Sequence, residues 1–177
     1  YGTDCYSATQ KCLGCPPGLS PVAISPRALD SVRGRKTPPV SWYLDLALNA
    51  NYWGFDRVYH HTAPVSNIVG LREGLRVVLE EGLDARFARH RRNSEALWAG
   101  LEALGLSLVA PADSRLAQIT PVWIPEGVDD GQVGQILLRE YGIEIGRGLG
   151  DFGGKVWRIG LMGESSKAEY VLVLLSA

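Results

Sequence analysis

Two long helical patterns in succession, followed by an alternation of short elements, constrain this chain most. From Ser66 to Glu81, Ile68, Leu71, Leu75 and Val78 recur along one side at helical spacing, with Ser66 placed to cap the start. Gly82 interrupts the pattern, and a second helix is predicted from about Asp84 to Leu104, with Phe87, Leu97, Leu101 and Leu104 in register and Gly105 as its stop. A strand over Ala117–Ile124 follows, and Pro121 within it predicts a sheet edge. Asp129 or Asp130 caps a helix carrying Val133, Ile136, Leu137 and Tyr141, which Gly142 ends. Ile143–Ile145 reads as a short strand, Gly146–Gly154 as a loop, Lys155–Met162 as a strand, and Ser165 or Ser166 as the cap of a last helix. The order β-α-β-β-α predicts an α/β unit, a small sheet with helices on one face.

The part before Gly82 is less regular. Tyr1–Thr9 reads as a strand already in progress, with its β-leaning piece at Cys5–Tyr6. Pro16-Pro17-Gly18 marks a tight turn before a strand through Val22–Ile24, and Arg27–Leu44 reads as a helix, a loop and a second short segment. A boundary near Gly82 divides the chain into 1–82 and 83–177. The opening on Tyr1 rather than Met, and the apolar run at Tyr170–Leu175 near the end, are expected of a piece of a longer protein. With 46% hydrophobic and 21% charged residues, the chain can bury a core. Net charge of −1 and a pI near 6.3 argue against a nucleic-acid or anionic-membrane partner. No apolar run is long enough to span a bilayer as a helix. Three cysteines do not make a disulfide framework, so a reducing compartment such as the cytoplasm is expected.

Several groups compete as sites. Cys12 and Cys15 form a C-x-x-C, but Pro16 and Pro17 prevent the helix start that activates a redox thiol, and no second knuckle completes a zinc site. His60-His61 lacks ligand spacing, and neighbours on an extended chain point apart. Small buried thiols are the expectation. Lys11 stands at a strand's end between Ser7-Ala8-Thr9-Gln10 and the Gly-Pro turn, with small neighbours that leave room for a ligand. A lysine can condense with an aldehyde when its amine is neutral, although a surface lysine is ordinarily a solvated charge. Arg158 lies in an apolar strand, sharing a face with Val156 and Gly160. There it holds a carboxylate through two parallel hydrogen bonds or forms a structural ion pair. Arg86, Arg89, Arg91 and Arg92 read as a solvated helical face, and Gly146-Arg147-Gly148-Leu149-Gly150 as a flexible connection, with no helix following it as a dinucleotide loop requires.

Four strings agree in order and spacing with one family: SATQKCLGCPPG (7–18), Trp42-Tyr43-Leu44-Asp45 with Trp53-Gly54, Tyr59-His60-His61-Thr62 before Pro64-Val65, and Lys155-Val156-Trp157-Arg158-Ile159-Gly160-Leu161-Met162-Gly163. They resemble the class V pyridoxal-phosphate-dependent aminotransferases of the alanine–glyoxylate and serine–pyruvate type. The resemblance implies a fold-type I transferase, of which this chain holds the C-terminal end of the large domain and the small C-terminal domain. It implies Lys11 as the Schiff-base lysine and the base that moves the α-proton, Gln10 as a hydrogen-bond donor to the cofactor phosphate, Tyr59 and Thr62 as donors to that phosphate from the neighbouring subunit of a homodimer, and Arg158 as the grip on the substrate carboxylate. Read without it, Tyr59–Thr62 is a polar loop with a capping threonine.

The resemblance also implies an acidic partner for the pyridine nitrogen, a stacking aromatic ring and a phosphate loop, all upstream of Tyr1; Asp4 stands too near Lys11 to match the first. A chain of these residues alone is expected to bind cofactor poorly and catalyse little. The competing readings are a cysteine desulfurase or related lyase, which needs a nucleophilic cysteine on a separate loop, and a non-catalytic interaction module of the same fold.

Overall fold

The computed structural model describes residues 4–177; the predicted strand's first residues, 1–3, lie outside them. The chain divides into two compact units. One takes in the described residues up to Gln10 and Cys15–Arg72, the other Lys11–Gly14 and Glu73–Ala177.

In the first unit, strand β1 (Cys5–Tyr6) pairs antiparallel with β2 (Val22–Ala23). Among the described residues, the predicted strand over Tyr1–Thr9 is present at Cys5–Tyr6, and Thr9 begins a turn. Helix α1 (Pro26–Arg33) starts at Ser25, whose Oγ accepts from the Ala28 N–H and whose own N–H donates to Asp4 Oδ1 at 2.6 Å. Pro26 at the first helical position gives up no hydrogen bond there. Helix α2 (Leu46–Trp53), not expected from the sequence, is nucleated by Asp45, which accepts from the Ala47 and Leu48 N–H groups. Helix α3 (Val65–Glu81), which belongs to this unit up to Arg72 and to the other from Glu73, begins before Ser66, so Ser66 lies inside the first turn rather than at the cap. Its first turns receive the Pro16-Pro17-Gly18 turn: Asn67 Nδ2 donates to the Pro17 carbonyl, and Gly70 lies against Pro16.

In the second unit, helix α4 (Leu83–Ala103) precedes strand β3 (Ile119–Trp123), helix α5 (Asp130–Tyr141), strands β4 (Gly146–Arg147) and β5 (Val156–Gly160), and helix α6 (Ala168–Ser176). The sheet is antiparallel in the order β3-β5-β4, with β3 at the edge that Pro121 predicted. Asp129 caps α5 by accepting from the Gln132 N–H, and Gly142 closes it in the left-handed region at φ 66°. Two boundaries differ from expectation. The strand predicted at Ile143–Ile145 is displaced to Gly146–Arg147, where pairing with Trp157 and Arg158 is available. Ser166 does not cap α6; it is fully buried, and its carbonyl accepts from Asn93 and Arg89 on α4.

The core joins Leu97 and Leu101 of α4, Val122 of β3, Ile159 of β5, Leu161 just after β5, and Val171 of α6. The pairing Thr120–Ile159 and Val122–Trp157 places these four on one face of the sheet, and Pro121, Arg158 and Gly146 on the other. Trp98 donates its indole N–H to Thr120 Oγ1 at 2.9 Å, so the polar atom buried on the core face is satisfied. Phe87 and Leu104, expected on the apolar side of α4, are exposed. The buried positions toward the start of α4 are instead Arg86, His90, Asn93 and Ser94.

Candidate active site

Lys11 stands in a turn, not at the end of a strand; β1 closes at Tyr6. The Gly14 N–H donates to the Lys11 carbonyl at 2.9 Å, and Gly14 takes a φ of 69°. The chain leaves and returns at one place, for the Cys15 N–H donates to the Thr9 carbonyl at 3.0 Å. Thr9 is fully buried, and its hydroxyl donates to the Pro16 carbonyl at 2.8 Å. The side chains of Gln10 and Lys11 are exposed and have no hydrogen-bond or ionic partner among the described residues.

The lysine turn is held from α4. The Cys12 carbonyl accepts from Arg86 Nη2 at 2.9 Å, while Arg86 Nη1 donates to Glu81 at 2.6 Å and to Glu164 at 3.1 Å. Arg89 Nε donates to the other oxygen of Glu81, and its Nη1 donates to the Gly163 and Ser166 carbonyls. The hydrogen bond from Arg89, with Arg86 adding, holds the Glu81 carboxyl down to about 2 against the opposing effect of burial. Arg89 is raised in turn, chiefly by Glu81. The solvated face expected of the basic run therefore applies to Arg91 and Arg92, which are exposed, and not to Arg86, which is 4% exposed, or to Arg89. An arginine can be buried here because each guanidinium meets a carboxylate and also donates to a backbone carbonyl.

A second group forms where the segments Trp42-Tyr43 and Tyr59–Thr62 meet. The Trp42 and His60 rings stack at 4.0 Å, and Tyr43 and Tyr52 both lie against His61. His60 Nε2 donates to the Trp42 carbonyl at 3.2 Å, and the two Nδ1 atoms of His60 and His61 are 2.9 Å apart. The adjacent histidines thus face one another, contrary to the expectation for extended neighbours, because the segment is not a strand and the aromatic rings hold both imidazoles. This packing leaves Tyr59 and Thr62 exposed, their hydroxyl oxygens 3.2 Å apart.

Arg158 is half-buried in the central strand of the second unit's sheet. Its Nε donates to the Arg147 carbonyl at 2.7 Å, and no carboxylate pairs with it among the described residues. Its neighbours across the strands are Pro121 and Gly146.

A cavity of about 420 Å³ opens beside α4 and α6, walled by Leu97, Ile143, Ile145, Ile159, Leu161 and Leu174 among others; none of the site residues named from the sequence lines it. Among the described residues, no three His, Cys, Asp or Glu side chains are gathered to hold a metal, and no helix is long and apolar enough to cross a membrane. Cys15 is buried, with Sγ at 3.5 Å from the Gly70 carbonyl; Cys5 is exposed. Sequence reasoning missed Arg86, Arg89, Glu81 and Glu164. Their one visible signal is that Arg86, His90, Asn93, Leu97 and Leu101 continue a single stripe at helical spacing.

This arrangement of elements is that of the fold-type I pyridoxal-phosphate transferases. No family model matches the chain. Among known proteins it resembles the class V aminotransferases. It is 43% identical to the alanine–glyoxylate aminotransferase of Callithrix jacchus over 97% of this chain and 42% of that protein. It is 40% identical to the (S)-ureidoglycine–glyoxylate transaminase of Bacillus subtilis over 95% of this chain and 45% of that protein. The crystal structure of an alanine–glyoxylate aminotransferase from Nostoc sp. superposes with a TM-score of 0.91 and 49% identity, over 97% of this chain and 45% of that one. The chain therefore spans less than half the length of these relatives.

Proposed function

We propose that this chain is the lysine-bearing part of a pyridoxal-phosphate-dependent enzyme, an aminotransferase that moves an amino group from alanine or serine to glyoxylate or pyruvate. The observation that carries this reading is Arg158: a guanidinium on a central strand without a carboxylate partner among the described residues, in a chain related to glyoxylate aminotransferases. With Nε occupied, its two Nη groups can meet both oxygens of a small amino acid or 2-oxo acid.

The other donors suit the cofactor. An exposed amine at Lys11 can join its aldehyde, and the hydroxyls of Tyr59 and Thr62, 3.2 Å apart, are neutral donors of the kind that bind phosphate oxygens. Pyridoxal phosphate, when bound, supplies an electron sink for the pair left as the α-proton departs. Lys11 would hold it covalently until the substrate amine displaces it, and the freed Nζ would then take up the α-proton and pass it to the neighbouring carbon. Gln10 would donate to the phosphate. Tyr59 and Thr62 would serve the site of the neighbouring subunit in a homodimer. Residues 1–82 would belong to the large domain and 83–177 to the small one. The protein would work in a reducing compartment, the cytoplasm or, in a eukaryote, a peroxisome or mitochondrion.

The Bacillus relative makes ureidoglycine a third candidate donor. Borohydride reduction of the full-length protein, followed by peptide mapping, is expected to place the cofactor label on Lys11; a label elsewhere rejects the reading. Alanine, serine and ureidoglycine, each paired with glyoxylate and pyruvate, then identify the substrates. Sulfide release from cysteine without transamination would favour the desulfurase instead.

A further inference from the structure

We propose that Arg86 is a positioning residue for Lys11. It acts through the Cys12 carbonyl, so that the ion cluster of α4 sets where the lysine amine stands. The inference rests on the reading of Lys11 as the cofactor lysine.

A lysine side chain has four rotatable carbons, so its amine is placed only as well as its backbone is fixed. The carbonyl of Cys12, the residue after Lys11, is gripped by Arg86 Nη2 at 2.9 Å. Arg86 is itself aimed from two sides, by Glu81 at 2.6 Å and Glu164 at 3.1 Å, and only 5% of its side chain is exposed. Its backbone carbonyl accepts from His90 Nδ1 at 2.8 Å, and His90 Nε2 accepts from the Gly163 N–H at 3.0 Å. These two bonds fix the imidazole's tautomer and tie Gly163 to the same helix turn. Gly163 then closes the other side of the carbonyl: a Cβ there would stand 2.8 Å from the Cys12 oxygen and 3.3 Å from Arg86 Nη2. Its φ of 61° is also one that only glycine adopts freely. One guanidinium thus grips the carbonyl beside the lysine, three further side chains hold that guanidinium and its helix turn, and one glycine closes the other side; the proposed chemistry itself uses none of them.

The test uses full-length protein carrying Arg86→Lys, Gly163→Ala or Glu164→Gln. It reads three quantities: borohydride labelling at Lys11, kcat with KM for the 2-oxo acid, and amide hydrogen exchange of residues 11–14 in the cofactor-free protein. Arg86→Lys and Gly163→Ala are expected to lower kcat roughly 10- to 100-fold, the scale of a small misplacement of a reacting group. KM should stay within about twofold, because Arg158 is untouched. Exchange over 11–14 should rise about tenfold or more as the turn loosens. Should Arg86→Lys fail to fold, Glu164→Gln alters a half-exposed group and is expected to give a two- to fivefold rise in exchange, about the scale of a partly exposed ion pair. A wild-type label away from Lys11 defeats the transamination reading and this inference with it. A label on Lys11, with kcat per labelled site and exchange unchanged in the folded variants, overturns the inference alone, even where their melting temperatures fall.

Discussion

Arg158 is useful because of what stands beside it. Pro121 and Gly146, its lateral neighbours, bring no carboxylate and little bulk, and the Arg147 carbonyl occupies only Nε. A lysine at 158 keeps the charge and loses the planar fork, so Arg158→Lys is expected to raise KM for amino acid and 2-oxo acid about 10- to 100-fold. Its thermal midpoint should stay near that of the wild type, since one exposed bond to a carbonyl is lost. Steady-state kinetics beside a melting curve check both; an unchanged KM would show that the substrate carboxylate is held elsewhere. At this scale the sequence motifs identify Lys11, Gln10, Tyr59, Thr62 and Arg158 as candidates. What they cannot reveal is the grip on Cys12, because Arg86 lies 74 residues away and looks like any helical arginine until α4 is packed.

Among the elements, α4 is the most demanding. Against its second half, Gly100 lets α6 approach closely: a Cβ there would collide with the Leu175 side chain. The Leu175 side chain can swing, so Gly100→Val is expected to fold with a loss of about 1–3 kcal/mol, measured by urea unfolding. Toward the start of α4, Glu81 makes stability depend on pH. Its carboxyl is depressed from 4.5 to about 2, so the unfolded chain binds that proton more readily than the folded one. The contribution is complete above pH 4.5 and is lost as pH falls toward 2, and the melting temperature should drop across that window. Glu81→Gln should melt lower at neutral pH and show a shallower acid slope; equal slopes would mean that other carboxylates govern the transition. Periodicity made α3, α4 and α5 legible, since each runs long enough for apolar spacing to declare itself. It misread the start of α4, where Arg86, His90 and Asn93 occupy the inner positions and Phe87 lies outside. β4 escaped because two residues carry no period, and only pairing with β5 defines them. α2 escaped because its start depends on the Asp45 cap within an aromatic segment.

For the whole molecule, the proposed division of the phosphate site between subunits makes a prediction that no single-chain argument can imitate. Trp42, Trp53, Phe55 and Tyr59 are all more than half exposed, a density of aromatic surface that a free-standing unit seldom leaves to water and that a subunit interface would cover. If Tyr59 and Thr62 serve the neighbouring subunit, two inactive full-length proteins can repair each other. Lys11→Ala lacks the amine but keeps both hydroxyls; Tyr59→Phe with Thr62→Val lacks the hydroxyls but keeps the amine. In a mixed dimer, the lysine of the second protein meets the hydroxyls of the first and completes one native site, while the other site loses both contributions. Random mixing of equal amounts makes half the dimers mixed, each with one working site of two, so activity should recover to about a quarter of wild type. Were the hydroxyls to act within their own subunit, neither site of the mixed dimer would be whole, and mixing would restore nothing. Unfolding and refolding the two proteins together, with each refolded alone as the control, separates the two outcomes without reference to substrate choice.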